Sequence, residues 1–240
     1  DETRDEMEGN RVPSLAQDTT KEVRCTRCGE ANGSLAFVEF SPGNIKLKRC
    51  VSCGEIVDKY VEYEDLLIAV DVLLLKREAY FHILFNRLPK RYLPRLLWSL
   101  LFCSMLEFYI RMYYLGTLET GHVALKLLVT SIGLNILSAG AASFMAWQGS
   151  LLGFWKVYPG DLAKIPSAVA LGSAVKTLFV MMSVWAYPKS FLIVLRILSF
   201  ASTAVSFHAV LLSASQFQTW SMALVVGLIQ GSLGGAQLQQ

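Results

Sequence analysis

Apolar positions in this chain form long runs with only isolated charges after residue 92, whereas polar and apolar positions are mixed before it. A helix needs about 20 apolar residues to cross the hydrocarbon core of a bilayer. Four runs approach that length clearly, and a fifth, rich in Gly and Ser, is either a span or a re-entrant segment. The pattern predicts a mainly α membrane protein whose residues 93–240 form a bundle of four or five transmembrane helices, at 94–117, 122–147, 166–187, 190–213 and 217–235.

A shorter apolar segment, residues 64–88, carries its polar positions along one line. Glu64, Asp71, Glu78 and His82 recur at spacings of seven, seven and four residues, so they fall on one face of a helix. The charges within the segment disfavour a span, and we predict an amphipathic helix that lies in the headgroup layer. Glu78 and His82 have two interpretations: part of a solvated stripe, or a pair that holds a metal or shuttles a proton.

Basic residues follow this helix and complete an interfacial segment, residues 64–92. Such a cluster attracts anionic lipid by about 1 kcal/mol per charge. It also places the N-terminal third in the cytosol by the positive-inside rule. The residues that we expect to face lipid or a partner are Glu78, His82, Arg87, Lys90 and Arg91.

Composition and charge support the membrane assignment. Of 240 residues, 53% are hydrophobic, and most charged residues lie before residue 96. The net charge of +3 is too small to indicate a nucleic-acid partner. Residues 1–22 are acidic and polar, which predicts a disordered tail and no cleavable signal peptide.

One seven-residue pattern occurs twice, because residues 24–30 and 49–55 both read Arg-Cys-x-x-Cys-Gly-Glu. Two such turns favour one four-thiolate zinc site, although two disulfides would form in an oxidising compartment. Four cysteines leave no coordination position for a catalytic water, so the zinc is predicted to be structural. The expected ligands are Cys25, Cys28, Cys50 and Cys53. Cys103 lies in an apolar run and is predicted to be a buried small hydrophobe.

The residues around the cysteine pairs predict a small β domain. Residues 35–40 and 45–48 have strand patterns, the four residues between them favour a type II turn, and 57–63 is a plausible third strand. Residues 23–63 would therefore form a zinc ribbon. So small a core needs the metal, whose apparent binding contributes on the order of 10–16 kcal/mol to folding. The hairpin's aromatic and basic side chains also have a nucleic-acid-stacking interpretation, but we favour a ribbon core with a solvated edge.

Ionisable residues inside the predicted spans each cost roughly 2.5–3.5 kcal/mol to insert. Glu107 and Arg111 are one helical turn apart and can neutralise each other, whereas Lys176 has no acid nearby in sequence. Either an internal polar site forms, or Glu107 pairs only with Arg111 while backbone carbonyls cap Lys176. The candidate residues of that site are Glu107, Arg111, Lys176 and His208. Glycines that suit close helix packing are Gly133, Gly140 and Gly172.

Motifs of known enzyme classes are absent from the sequence. Neither His82 nor His122 is followed by the Asp of an acyltransferase His-x4-Asp box. The chain also has no His-Glu-x-x-His, no Gly-x-Ser-x-Gly and no phosphate-binding glycine loop. We therefore predict that the protein is not an enzyme; the alternative is a membrane lipid enzyme that uses Glu107, Lys176 and His208.

Several blocks of residues 23–89 form a recognisable series. They are both Cys-x-x-Cys pairs, the block Ser41-Pro42-Gly43-Asn44-Ile45-Lys46-Leu47 between them, Asp58-Lys59-Tyr60-Val61-Glu62, Asp71, and Lys76-x-x-Ala79-Tyr80-x-His82-Ile83-Leu84-Phe85-Asn86. In these blocks the chain resembles the homology domain of the Arv protein family. The order and spacing of several blocks agree. In the membrane region the likeness is limited to multiple spans.

The resemblance implies a multi-pass protein of the endoplasmic reticulum with a role in lipid homeostasis. We expect it to mediate sterol transport and distribution, with membrane lipids, sterols above all, as partners and a link to sphingolipid metabolism. The alternative is a scaffold or chaperone for lipid-synthesis proteins, such as those of glycosylphosphatidylinositol-anchor assembly. The zinc ribbon is expected to face the cytosol.

Overall fold

The computed structural model describes residues 22–33, 35–41, 44–87, 92–115, 121–154, 161–178, 191–211 and 214–236. The chain divides into two compact units, one that ends at Val61 and one that begins at Glu62. The predicted tail at 1–22 lies, except for its last residue, outside the described part of the chain. The first unit contains a two-stranded sheet and the second is helical.

A β-hairpin lies between the two cysteine pairs, as the alternating pattern predicts. Strand β1 (Phe37–Ser41) pairs antiparallel with β2 (Asn44–Leu47), and Phe37 lies opposite Leu47. The register shifts between Glu39 and Ser41, next to the predicted turn, whose two central residues lie outside the described ranges.

Each cysteine repeat folds into the same small knuckle. An isolated antiparallel bridge closes each one, between Arg24 and Ala31 in the first and between Arg49 and Ile56 in the second. Both repeat glycines have positive φ, +81° in the first and +74° in the second. A side chain would strain that conformation, which explains why glycine follows each Cys-x-x-Cys pair.

The predicted third strand at 57–63 is wrong. Within this segment only Val57 makes strand-like backbone hydrogen bonds: its N–H donates to Lys48 O, and its carbonyl accepts from Thr26 N. The buried Asp58 carboxylate then accepts a hydrogen bond from the Tyr60 N–H at 3.0 Å. This bond bends the chain into the 3-10 turn Lys59–Val61.

The single helix predicted over 64–88 is also wrong, because the segment breaks into three parts. Helix α1 (Asp65–Leu73) ends before Leu75, whose φ is +58°, and helix α2 (Arg77–Phe81) then continues into a π-helical turn, His82–Arg87. The Lys76 ammonium closes the break by pairing with Asp71 at 2.7 Å. Because α1 and α2 are separate helices, polar residues at seven-residue spacing along 64–88 do not share one helix face.

The described residues of the rest of the second unit form five further helices and two 3-10 turns. They are α3 (Tyr92–Leu115), α4 (Gly121–Leu151), the turn Leu162–Lys164, α5 (Ile165–Ser173), the turn Ala174–Lys176, α6 (Phe191–Val210) and α7 (Gln216–Ala236). Within the described ranges, two helices are long and apolar enough to cross a membrane, over Ala124–Leu151 of α4 and Ile193–Val210 of α6. The bundle of four or five spans stays a prediction. The predicted span at 166–187 contains a 3-10 turn, and its last third lies outside the described residues.

Helix α6 packs closely against α5, and a glycine permits the approach. A Cβ added to Gly172 of α5 would lie 2.5 Å from Thr203 Oγ1 and 2.6 Å from Thr203 Cα on α6. The close-packing prediction is therefore confirmed at Gly172. It is wrong at Gly133 and Gly140, where an added Cβ meets nothing within 4 Å.

Replacing Gly172 by Ala is expected to destabilise the protein by about 1–3 kcal/mol, because the new methyl group overlaps the Thr203 backbone. Thermal unfolding of the purified protein in detergent measures the effect. Gly140→Ala is the matched control: its methyl group has room, and removal of a helical glycine is favourable. Equal shifts in Tm for the two variants would contradict the close contact.

Candidate functional site

Four cysteine sulfurs come together in the first unit. Cys25, Cys28, Cys50 and Cys53 are all free thiols whose Sγ atoms lie within 4.8 Å of one another. The Cys25–Cys53 and Cys28–Cys50 sulfur distances are 3.7 Å and 3.6 Å. A tetrahedral ion with ligands at about 2.3 Å needs sulfurs about 3.8 Å apart. The four cysteines could therefore bind a metal ion.

Hydrogen bonds within the knuckles favour the thiolate that a metal needs. Burial raises the pKa of the Cys50 thiol, but backbone N–H groups of Cys53 and Ser52 and the Asn32 amide outweigh it and lower the pKa to about 6. The Asn32 amide donates to Cys50 Sγ at 3.3 Å. Burial raises the pKa of Cys28 to about 12. A cation among the sulfurs would supply the positive charge that this crowded set of thiols lacks.

The predicted lipid- or partner-facing residues separate in the structure. Arg87 is exposed and pairs with Asp65 at 2.8 Å, and Glu78 is half-buried. His82 is only 7% exposed, and Asp71 is buried as well, so the prediction that they belong to a solvated stripe is wrong. The remaining two, Lys90 and Arg91, lie outside the described residues.

Apolar side chains, rather than polar ones, dominate the exposed surface of α1. Leu66 is 72% exposed, and Leu67, Val70, Leu73 and Leu74 are also exposed, while Ile68 and Val72 are buried. Helix α2, by contrast, is held against α6: the fully buried Tyr80 hydroxyl contacts Ser202 Oγ at 2.7 Å and donates to Val72 O. Burial raises the pKa of Tyr80 to about 12.

A second candidate site lies inside the helical unit, around Glu107. Its carboxylate accepts a hydrogen bond from Lys176 Nζ at 2.9 Å and another from Arg111 Nη2 at 3.2 Å. All three side chains are nearly buried, with exposures of 12%, 11% and 8% for Glu107, Lys176 and Arg111. The internal polar site is therefore present, and Glu107 does not pair with Arg111 alone.

Gln230 of α7 connects this ion cluster to three other helical elements. Its side-chain oxygen accepts from Lys176 Nζ at 3.0 Å, and its backbone carbonyl accepts from Arg111 Nη2 at 3.0 Å. Its side-chain nitrogen donates to Asn135 Oδ1 at 3.3 Å, with longer contacts to Ser138 and Ser173. Through its side-chain amide and its backbone carbonyl, Gln230 thus joins side chains from α3, α4, the end of α5 and the turn that follows it.

Sequence reasoning missed Gln230 and Asn135 because it considered only ionisable residues. Both lie inside predicted spans, and uncharged amides within apolar runs also need partners. Their location within apolar runs is the sequence feature that would have identified them as candidates.

His208 does not join the cluster. Its backbone carbonyl accepts a hydrogen bond from Arg77 Nε at 3.3 Å, and its buried Nδ1 has no hydrogen-bond partner among the described residues. Hydrogen bonds therefore connect Glu107 to Lys176 but not to His208. Cys103 donates to the Ala170 carbonyl at 3.4 Å and is buried, as predicted.

A cavity of about 400 Å³ extends from the ion cluster between α6 and α7. We call it the α6–α7 groove. Its polar end contains Glu107, Lys176 and Gln230, and its walls are mainly apolar. Ile197, Leu224 and Leu228 line it and are more than half exposed, so the groove opens at the surface of the unit. Cavities of this size and lining accept small amphipathic molecules.

Glu107→Gln is expected to destabilise the protein more than Lys176→Met. The first change leaves two buried cations without a counter-charge, and breaking a buried pair in this way costs about 3–5 kcal/mol. The second leaves the Glu107–Arg111 pair intact. Denaturant or thermal unfolding in detergent gives the order. A Lys176→Met variant as unstable as Glu107→Gln would contradict the shared role of Glu107.

Comparison with known proteins finds relatives over most of the chain. The chain is 30% identical over 221 residues to Protein ARV 2 of Arabidopsis thaliana, an alignment that covers 88% of this chain and 96% of the relative. Protein ARV 1 of the same plant is 28% identical, with 89% and 88% covered. Protein ARV1 of Homo sapiens is 30% identical over 109 residues, 45% of this chain and 38% of that protein.

No solved structure matches the chain. The model of the Arv1-like family matches residues 24–210, from the first cysteine repeat to the end of α6. The match includes both cysteine pairs, the ion cluster's Glu107 and Lys176, and one wall of the groove. This protein therefore belongs to the Arv1-like family.

Proposed function

We propose that this protein is a non-enzymatic, multi-pass membrane protein of the endoplasmic reticulum that binds lipids and takes part in the distribution of sterols and related lipids. The α6–α7 groove carries the proposal. It lies beside a helix long and apolar enough to cross a membrane, and it combines apolar walls with a polar end. A lipid has the same division into an apolar body and a polar head.

The first unit supports this function as a rigid platform held by zinc. Four thiolates in tetrahedral arrangement are typical of structural zinc, and cysteine at all four positions leaves no site for a catalytic water. The buried apolar cluster around the cysteines, within the described part of this unit, contains Cys25, Ala36, Cys50 and Val57. So small a core contributes little stability, and the metal compensates for it. Reduced thiols for zinc fit a cytosolic location.

Helix α1 supports an attachment to the membrane surface. Its exposed leucines would otherwise face water, and burial of one leucine side chain in lipid is favourable by about 1.5–3 kcal/mol. Arg87, which pairs with Asp65 at the start of α1, places a basic group at the same segment. An apolar face with charge at its edge is the arrangement of an interfacial helix.

Scaffolding of lipid-synthesis proteins is the second candidate function. Val51 at the tip of the second knuckle is 95% exposed, and Phe40 of β1 is 68% exposed. Exposed apolar side chains on a rigid domain can dock a partner. Affinity purification distinguishes the candidates: a stoichiometric protein partner lost on Phe40→Ser supports the scaffold, and lipid binding without such a partner supports transport.

The double substitution Cys50→Ala/Cys53→Ala is expected to abolish zinc binding and function together. Elemental analysis of the purified protein should find about one zinc per chain in the wild type and none in the variant. Complementation of a cell that lacks the protein reports on function. Cys103→Ala is the control and should keep its zinc. A different metal at one equivalent, or zinc in the double variant, would overturn the assignment.

Photo-crosslinking tests lipid binding in the groove. A photoactivatable sterol and a photoactivatable phosphatidylcholine, each in nanodiscs with the full chain, are used in parallel, and labelled peptides are mapped. We expect labels on α6 and α7. Gly227→Leu fills the groove and should reduce labelling severalfold, because Gly227 lines it and an added Cβ already lies 3.7 Å from the Phe200 ring.

Gly140→Leu is the matched control, because Gly140 is exposed on α4 and no residue of α4 lines the groove. Labelling that is unchanged by Gly227→Leu would place the lipid elsewhere. If neither probe labels α6 or α7, lipid binding in the groove is overturned.

A further inference from the structure

Positive charge at the α6–α7 groove exceeds what its carboxylate can neutralise. Glu107 already serves both Lys176 and Arg111. Arg196 of α6 lines the same cavity, and no ion pair to it occurs among the described residues. Lys176 and Arg196 therefore line the cavity with Glu107 as the carboxylate among the lining residues, and Glu107 also pairs with Arg111.

Burial makes this excess unfavourable. The Arg111 side chain is 8% exposed, and its Nε and Nη1 atoms have no hydrogen-bond partner within the described parts of the chain. Lys176 is 11% exposed, with its Nζ shared between Glu107 and Gln230. A buried charge without a counter-charge is strongly destabilising, so the cluster as a whole favours the arrival of an anion.

The walls determine what else such an anion must carry. Leu195, Ile197, Phe200, Leu224 and Leu228 line the same cavity and give it a large apolar surface. A free inorganic anion would leave that surface uncovered. A molecule with a negatively charged head and hydrocarbon chains satisfies both parts of the groove.

We infer that the groove takes a lipid whose headgroup carries a negative charge, such as a phosphate. The head lies at Lys176 with Arg196 beside it, and the hydrocarbon chains follow the walls of α6 and α7. The inference rests on the lipid binding proposed above and specifies the headgroup that the site selects. Helix α6 contributes both a charged residue and apolar wall residues, so it would contact the headgroup and the hydrocarbon chains of the same ligand.

Matched photoactivatable lipids test the headgroup. The full chain is placed in nanodiscs with photoactivatable phosphatidic acid or phosphatidylcholine of the same acyl chains, at equal mole fraction, and labels on α6 and α7 are quantified. We expect phosphatidic acid to label the groove preferentially. Arg196→Gln should reduce that preference about fivefold, the factor that corresponds to one lost charge contact at a membrane surface.

Arg196 is exposed, so the variant is expected to fold, which thermal unfolding checks. Lys126→Gln, which removes an exposed cation from α4, is the control and should leave the preference unchanged. Equal labelling by the two phospholipids, or an equal effect of both variants, would overturn the inference while lipid binding in the groove stands. No groove label from either phospholipid or from the sterol would overturn the proposed lipid binding itself.

Inorganic phosphate distinguishes a lipid headgroup from a free anion. Excess phosphate is expected to leave the phosphatidic acid label unchanged, because phosphate has no chains to cover the apolar walls. Full competition by phosphate would show that the polar end binds a free anion as well as the lipid, and would overturn the selection of a lipid by the apolar walls.

Discussion

The ion pair between Glu107 and Lys176 joins positions 69 residues apart, and the arrangement of the helical unit depends on it. Apolar helix faces pack against one another and against lipid with nearly equal preference, so they define partners weakly. A buried charge is different, because only an opposite charge at the correct distance removes its cost. Glu107 therefore fixes the end of α5 beside α3, and Gln230 adds α7 and α4 to the same point.

Local features of this chain could be predicted from sequence because their causes are local. Two cysteines three residues apart with a following glycine define a turn, and the positive φ of Gly29 and Gly54 is part of that turn. The strand pattern around Phe37 and Ile45 likewise needs only a short hairpin. The sulfur cluster follows once both turns exist, since each sulfur pair that lies at ligand distance joins one knuckle to the other.

Prediction failed where distant contacts decide the structure. Residues 64–88 have a helical pattern throughout, but Leu75 adopts a left-handed conformation, and Tyr80 reaches Ser202, 122 residues away. The favourable burial of Tyr80 and His82 in the helical unit offsets the cost of breaking the helix at Leu75, which local helix propensity disfavours. Lys176 seemed to lack an acid for the same reason, because its partner lies on a helix that is remote in sequence.

The two units solve one physical problem in different ways. The first has too few apolar residues to stabilise itself, and convergence of four sulfurs replaces the missing core. The second has abundant apolar surface, which stabilises helices without specifying their neighbours, and a polar network supplies the specificity. In both units a few polar atoms determine which segments meet, and each such set is also the place where a ligand of opposite charge would bind.

Thr203 connects the groove to the packing of the helical unit. It lines the cavity on α6, and its backbone lies against Gly172 of α5, where no side chain would fit. Lys176, the cation at the polar end of the groove, ends the 3-10 turn that directly follows α5. A ligand that shifts α6 must therefore either carry α5 with it or open the contact at Gly172. Because the turn that carries Lys176 continues directly from α5, the occupancy of the apolar walls and the position of the charged end are mechanically linked. Such a link would let the groove respond to a bound molecule through helix packing, without a separate moving domain.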